Sequence, residues 1–196
     1  NLVPVEEFQL AVAIEKGLEP LATLLFTQSA VNPEEEAAKY ITENVKDIAD
    51  ALQGARDIMA EWIAENEQAR NTIRKLFTEE AIVSSRVLTS KKDEEDAQKY
   101  RDYFEYKEQL AQSPSHRILA IRRGEKEGFL IMDINIEKET AVEELKRKFI
   151  TVSNAASQQV GLAIEDSFAR LLKPSIETEF RMLSKTKADE EAIRVF

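Results

Sequence analysis

The chain has 196 residues, with 27 Lys and Arg against 37 Asp and Glu, for a formal net charge of -10. So acidic a surface repels phosphate backbones, which confines any nucleic-acid contact to a local patch. The absence of cysteine excludes disulfides, thiol catalysis and cysteine-based zinc sites. No apolar run approaches the roughly 20 residues of a membrane helix, and no signal peptide is visible. A soluble cytoplasmic protein without membrane contact is expected. Hydrophobic residues make up 43% and charged residues 33%, with only 5 Gly and 5 Pro, a balance that predicts helices around a real core.

The first helix is predicted from Glu6 to Lys16, with Gly17 as its stop. Pro20 suits the first turn of a short second helix through Leu21, Leu24 and Leu25. Together they predict a helix-turn-helix-like hairpin. Asn32-Pro33 followed by Glu34, Glu35 and Glu36 reads as a helix start, with a cap, a proline in the first turn and acids at the positive end of the dipole. Val45, Ile48, Leu52, Met59 and Ile63 then recur at helical spacing, and Asn66 is placed to cap a helix carrying Ile73, Leu76 and Phe77.

Ile82–Leu88 is short and β-branched, which predicts a strand. A charged loop, Lys91–Asp96, leads to the aromatic string Tyr100–Tyr106. A short helix around Ile118–Ile121 follows, with Ser113 or Ser115 as its cap and Pro114 in its first turn. Leu130, Met132, Ile134 and Ile136 alternate with Ile131, Asp133 and Asn135, the period of a second strand. The two strands are expected to pair as a small antiparallel ribbon. Thr140-Ala141-Val142-Glu143 reads as a capping box. A long helix from Asn154 is expected to break or restart at Pro174, before a last pair of helical segments carrying Ile176, Phe180, Leu183 and Ile193. The predicted fold class is therefore mainly α, a multi-helix assembly with the hairpin and a two-stranded ribbon. One region, 1–196, is expected, with sub-parts 1–30, 31–113 and 114–196.

No phosphate-binding glycine loop, nucleophile elbow or HExxH is present. Neither a catalytic residue nor a metal site nor a cofactor is predicted. The single histidine, His116, is expected to cap or pack a helix. The residues that stand out are Arg117, Arg122, Arg123 and Lys126, a cationic cluster in an acidic chain. On a helix, Arg122 and Lys126 share a face and Arg123 lies about 100° away. Such a cluster can face phosphates as a candidate nucleic-acid-binding patch. It can equally pair with acids such as Glu125, Glu127 and Asp102 and staple the fold, the reading that the abundance of acids favours. Tyr100, Tyr103, Phe104 and Tyr106 can stack on bases, but Tyr100 and Phe104, four apart, are also what one packed side of a helix needs.

Several strings together resemble a known family, the bacterial transcription accessory protein Tex. They are Glu15–Ala22, Ala51–Ile58, Tyr100–Tyr106, Pro114–Gly128, Arg170–Glu177 and Ala188–Phe196. They run in order over almost the whole chain. The resemblance implies a larger protein with an RNase H-like domain, helix-hairpin-helix motifs and a C-terminal OB-fold RNA-binding domain. This chain would be its N-terminal helical part. The start at Asn1 and the end within an amphipathic helical pattern agree with a piece of a longer polypeptide.

The expected function is a non-catalytic helical scaffold that supports nucleic-acid (RNA or DNA) binding and transcription regulation by the full-length protein. Its expected partners are nucleic acid, reached mainly through domains outside this chain, and RNA polymerase or associated factors; a monomer is expected. The alternatives are a protein-interaction module contacting the transcription machinery and a carboxylate-dependent nuclease.

Overall fold

Helix starts and stops in this chain are set by side chains close in sequence. The computed structural model describes residues 5–195. It divides into two compact units: Asn1–Ile73 with Lys138–Pro174, and Arg74–Glu137 with Ser175–Phe196.

In the first unit, α1 (Val5–Glu15) ends as expected at Gly17, whose φ of +75° favours a residue without a Cβ. The second hairpin helix, α2 (Glu19–Phe26), buries Leu21, Ala22 and Leu25. Asn32 caps α3 (Pro33–Ala38), its side chain accepting from the N–H groups of Glu34 and Glu35. The chain then turns at Thr42 and restarts under Asp47, which caps α4 (Ile48–Glu65). Helix α4 is the centre of this unit. Its Ala51, Ala55, Ile58, Met59 and Ile63 are buried, and α1, α2 and α8 (Ala155–Asp166) pack around it. Phe26 meets Trp62 edge-on at 5.6 Å and Phe149 at 6.1 Å.

Helix α7 (Lys138–Phe149) begins before Thr140, so Thr140-Ala141-Val142-Glu143 lies inside its first turns and is not the box that opens it. The capping box of this unit is Asn154 with Ser157, at the start of α8. Gln28 ties the α7–α8 link to the end of α2. Its side chain donates to the Phe149 carbonyl at 2.6 Å and accepts from the Thr151 N–H at 3.0 Å. Of the break or restart expected at Pro174, the chain shows the restart, with a new helix beginning at Lys173 and Pro174 in its first turn. Residues Ser167–Leu172 widen into a π-helix, in which the Lys173 N–H reaches back five residues to the Phe168 carbonyl. Proline lacks an N–H and its ring would strike a carbonyl four residues back; the wider turn removes both conflicts. One helix, α9 (Lys173–Val195), follows in place of the expected pair of segments.

In the second unit, the antiparallel pairing of β1 (Ile82–Val87) with β3 (Leu130–Asn135) is as expected. A further strand, β2 (Glu105–Gln109), pairs antiparallel with the other side of β1 and makes the sheet three-stranded, in the order β2-β1-β3. Its sequence, Glu-Tyr-Lys-Glu-Gln, has no β-branched residue and so no local strand signal. The packed face of the sheet carries Val83, Leu130, Met132 and Ile134. Helix α5 (Glu67–Glu80), capped by Asn66 as expected, brings Phe77 against Phe180 of α9 at 5.3 Å.

The aromatic string divides. Glu95–Tyr103 is a 3-10 helix, so Tyr100 and Phe104 do not share an α-helical side. Tyr100 is buried against Phe129, while Tyr106, on β2, meets Tyr103 edge-on at 5.5 Å.

Candidate nucleic-acid interface

The four candidate cations all lie on α6 (Ser115–Lys126), in the second unit. Neither serine caps it. Pro114 occupies the N-cap position without a side-chain bond, and Ser115 is already helical. At the other end the Phe129 N–H bonds the Gly124 carbonyl at 2.9 Å and the Gly128 N–H bonds the Glu125 carbonyl at 3.1 Å. This is a Schellman motif, and its left-handed residue is Gly128, at φ +84°. The buried side of α6 consists of Ile118, Ile121 and Gly124. A Cβ on Gly124 would lie 2.8 Å from Leu130 Cγ and 3.2 Å from Tyr100 Cδ1. Gly124 is therefore what lets α6 lie close against the sheet.

Two of the four cations are held in ion pairs. Arg117 donates through one nitrogen to both carboxylate oxygens of Glu108 on β2, at 3.0 and 3.1 Å. Arg122 donates to Glu125 at 3.3 Å. Of the acids expected as partners, Glu125 takes Arg122, whereas Arg117 chooses Glu108. Arg123 and Lys126 are exposed on the outer side of α6. Arg123 lends its charge to the surroundings of Glu127. Glu127 itself accepts from the Tyr100 hydroxyl and pairs with Lys99 at 2.9 Å. Burial first, and then the hydrogen bond to Glu127, push the Tyr100 hydroxyl up to about 12. The same bond, with Lys99, holds the Glu127 carboxyl below its ordinary value. His116 is exposed in the first turn of α6.

Glu125 is a hub with no local sequence signal. Besides Arg122 it accepts from Arg181 of α9 and from the Met132 N–H of β3. Arg181 also donates to the Met132 carbonyl at 2.7 Å, and Glu177 accepts from the Ile134 N–H. The partners Glu125 and Arg181 are separated by 56 residues, beyond any spacing rule. Among the described residues, no group of three or more His, Asp and Glu could hold a metal ion, and no helix is long and apolar enough to cross a membrane.

Residues 28–196 match the family model described as Tex central region-like. The chain belongs to this family. The resemblance read from the Tyr100–Tyr106 and Pro114–Gly128 strings therefore holds at family level. Relatives include Protein YhgF of Escherichia coli, 34% identical over 94% of this chain and 25% of that protein. Transcriptional accessory protein Tex of Neisseria gonorrhoeae is 31% identical over 98% of this chain and 26% of its own length. S1 RNA-binding domain-containing protein 1 of Homo sapiens is 28% identical over 94% of this chain and 20% of its own. The chain thus spans about a quarter of the length of its bacterial relatives.

Proposed function

We propose that this family member is a non-catalytic helical scaffold within a transcription accessory protein. In this reading the longer protein binds RNA or DNA and regulates transcription, mainly through parts outside this chain. RNA polymerase or an associated factor is the protein partner, and the cytoplasm is the compartment. The observation that carries the reading is the use of the cations. Arg117 pairs with Glu108 of β2, and Arg122 pairs with Glu125, which also ties α6 to β3 and α9. A phosphate-binding patch needs cations free to meet phosphate, and a scaffold needs them fixed. The names of the relatives supply the transcription and RNA context.

A second reading rests on Arg123 and Lys126. Both are exposed, so they are the pair that would touch a phosphate backbone directly. Fluorescence anisotropy of this chain with a labelled single-stranded RNA and a DNA duplex, across a salt series, separates the two. The scaffold reading expects little binding at physiological salt and no change on Arg123→Glu with Lys126→Glu. Binding that falls steeply with salt and vanishes in that double variant establishes direct contact instead. Cleavage of either probe with Mg²⁺ or Mn²⁺ would refute the non-catalytic assignment.

A further inference from the structure

The two edges of the sheet are treated differently. Hydrogen bonds from Leu88 N–H to the Phe129 carbonyl and from Val87 N–H to the Phe104 carbonyl set which backbone groups face β1. With period two, Leu130, Met132 and Ile134 point their N–H and C=O groups out of the β3 edge; Glu105, Lys107 and Gln109 do so on β2. The β3 edge is partly covered by side chains. Glu125 takes the Met132 N–H, Arg181 takes the Met132 carbonyl and Glu177 takes the Ile134 N–H. On the β2 edge, Ser113 takes the Gln109 carbonyl at 3.0 Å. Among the described residues, nothing bonds the backbone N–H or C=O of Glu105 or Lys107. A surface depression of about 950 Å³ lies across the three strands beside this edge, lined by Ser84, Arg86, Glu105, Lys107 and Asp133 among others.

An unpaired edge is a template for another strand. We propose that the β2 edge docks an extended segment of a partner protein, added as a fourth strand antiparallel to β2. The side chains of β2 define the segment. Glu105 and Lys107 are exposed and point to the same face of the sheet, so they ask for a base and an acid opposite them. Tyr106, half-buried on the other face, asks for an apolar residue between the two. Read in its own direction, an antiparallel segment therefore runs acid, apolar, base. Glu105-Tyr106-Lys107 has this order itself, which makes a second copy the competing occupant. Each copy carries a net charge of -10, and the mutual repulsion favours instead a partner whose flanking residues are basic.

The test uses the 196-residue chain and two peptides of identical composition, Ac-Lys-Val-Glu-Val-Arg-Thr-Lys-NH2 and its charge-swapped form Ac-Lys-Val-Arg-Val-Glu-Thr-Lys-NH2. Nitrogen-15 NMR titration reads the amides of Glu105 and Lys107. The first peptide is expected to shift and protect both amides, and to bind about three- to tenfold tighter than the second. The double variant Glu105→Lys with Lys107→Glu is expected to reverse that preference while leaving the far-UV spectrum unchanged. Unmoved amides, or a preference that survives the double variant, overturn the proposal. So does concentration-dependent dimerisation through these amides without peptide, which assigns the edge to a second copy. Perturbation of the same amides by a single-stranded RNA instead assigns it to nucleic acid. None of these outcomes depends on the scaffold reading, which is tested at Arg123 and Lys126.

Discussion

Substituting alanine for Gly124 sets two effects against each other at one atom. Within a helix, Gly→Ala is worth about 1 kcal/mol in favour of alanine, because glycine loses more backbone freedom on folding. Position 124 lies inside α6, and propensity alone predicts stabilisation. The new Cβ, however, would sit 2.8 Å from Leu130 Cγ, closer still to Leu130 Cδ1, and 3.2 Å from Tyr100 Cδ1. Carbon atoms rest at about 3.5–4.0 Å. Leu130 is 2% exposed and Tyr100 4%, so neither has space to retreat into. Overpacking of this kind costs about 1–3 kcal/mol, and two rigid neighbours place Gly124→Ala at the upper end. The net expectation is a loss of about 1–2 kcal/mol. Gly161 is the control, since its Cβ would meet Lys146 Cε at 3.6 Å and Ile150 Cδ1 at 3.7 Å, which is ordinary contact. Gly161→Ala should therefore gain about 0.5–1 kcal/mol. Urea unfolding followed by far-UV circular dichroism, with hydrogen exchange at the amides of β3, reads both variants. Leu130→Ala, which lacks the γ- and δ-carbons, supplies the second arm of a double-mutant cycle and should remove most of the Gly124→Ala penalty. If Gly124→Ala stabilises the protein, or Leu130→Ala leaves its cost unchanged, the close-approach account of α6 is wrong.

Two further predictions concern polar groups. Gln28 sits at φ +58° and serves both the Phe149 carbonyl and the Thr151 N–H. Gln28→Ala keeps the strained backbone and orphans both groups, at an expected cost of about 2–3 kcal/mol in thermal or urea denaturation. Gln28→Gly relieves about 1 kcal/mol of strain and should fall between that variant and the parent; a Gln28→Gly variant more stable than the parent by about that amount would show that these bonds contribute nothing. Tyr100 supplies a pH signature. Its folded value, pushed up to about 12, exceeds the ordinary tyrosine value of about 10. The neutral phenol therefore contributes stability below about pH 10, lost as pH rises toward 12. The stability difference between the parent and Tyr100→Phe should shrink over that window. At the acid end, Tyr100→Phe should raise the Glu127 carboxyl value, read by carbon-13 NMR, because the hydroxyl is the first cause of its depression. An unchanged Glu127 titration would remove the Tyr100–Glu127 bond from the account.

Most element starts and stops were legible because their causes lie within a few residues. Asn32 and Asn66 cap the helices they precede, and Gly17 supplies the left-handed stop. The alternation of Leu130, Met132 and Ile134 marks β3 because that strand buries one face. Strand β2 was illegible for the opposite reason. Glu105–Gln109 buries little and is a strand because β1 offers it hydrogen bonds. Pro174 marked the restart of the helix but gave no sign of the π-turn over Ser167–Leu172 that precedes it. The α6 cations were legible as a cluster but not in their pairing, since Glu108 reaches Arg117, and Arg181 reaches Glu125, from other elements.

The sequence by itself determined that this is an acidic, helix-rich member of the Tex family, with its caps, its two β-branched strands and its run of cations. Those properties depend on composition and on neighbours within a turn or two of chain. The tertiary structure alone decided which cations are spent and which remain exposed. It also decided that Gly124 must stay without a side chain, and that side chains cover part of one sheet edge and little of the other. Most of these depend on residues from different elements meeting at a few ångströms, where packing and hydrogen-bond geometry, and not local preference, set the outcome.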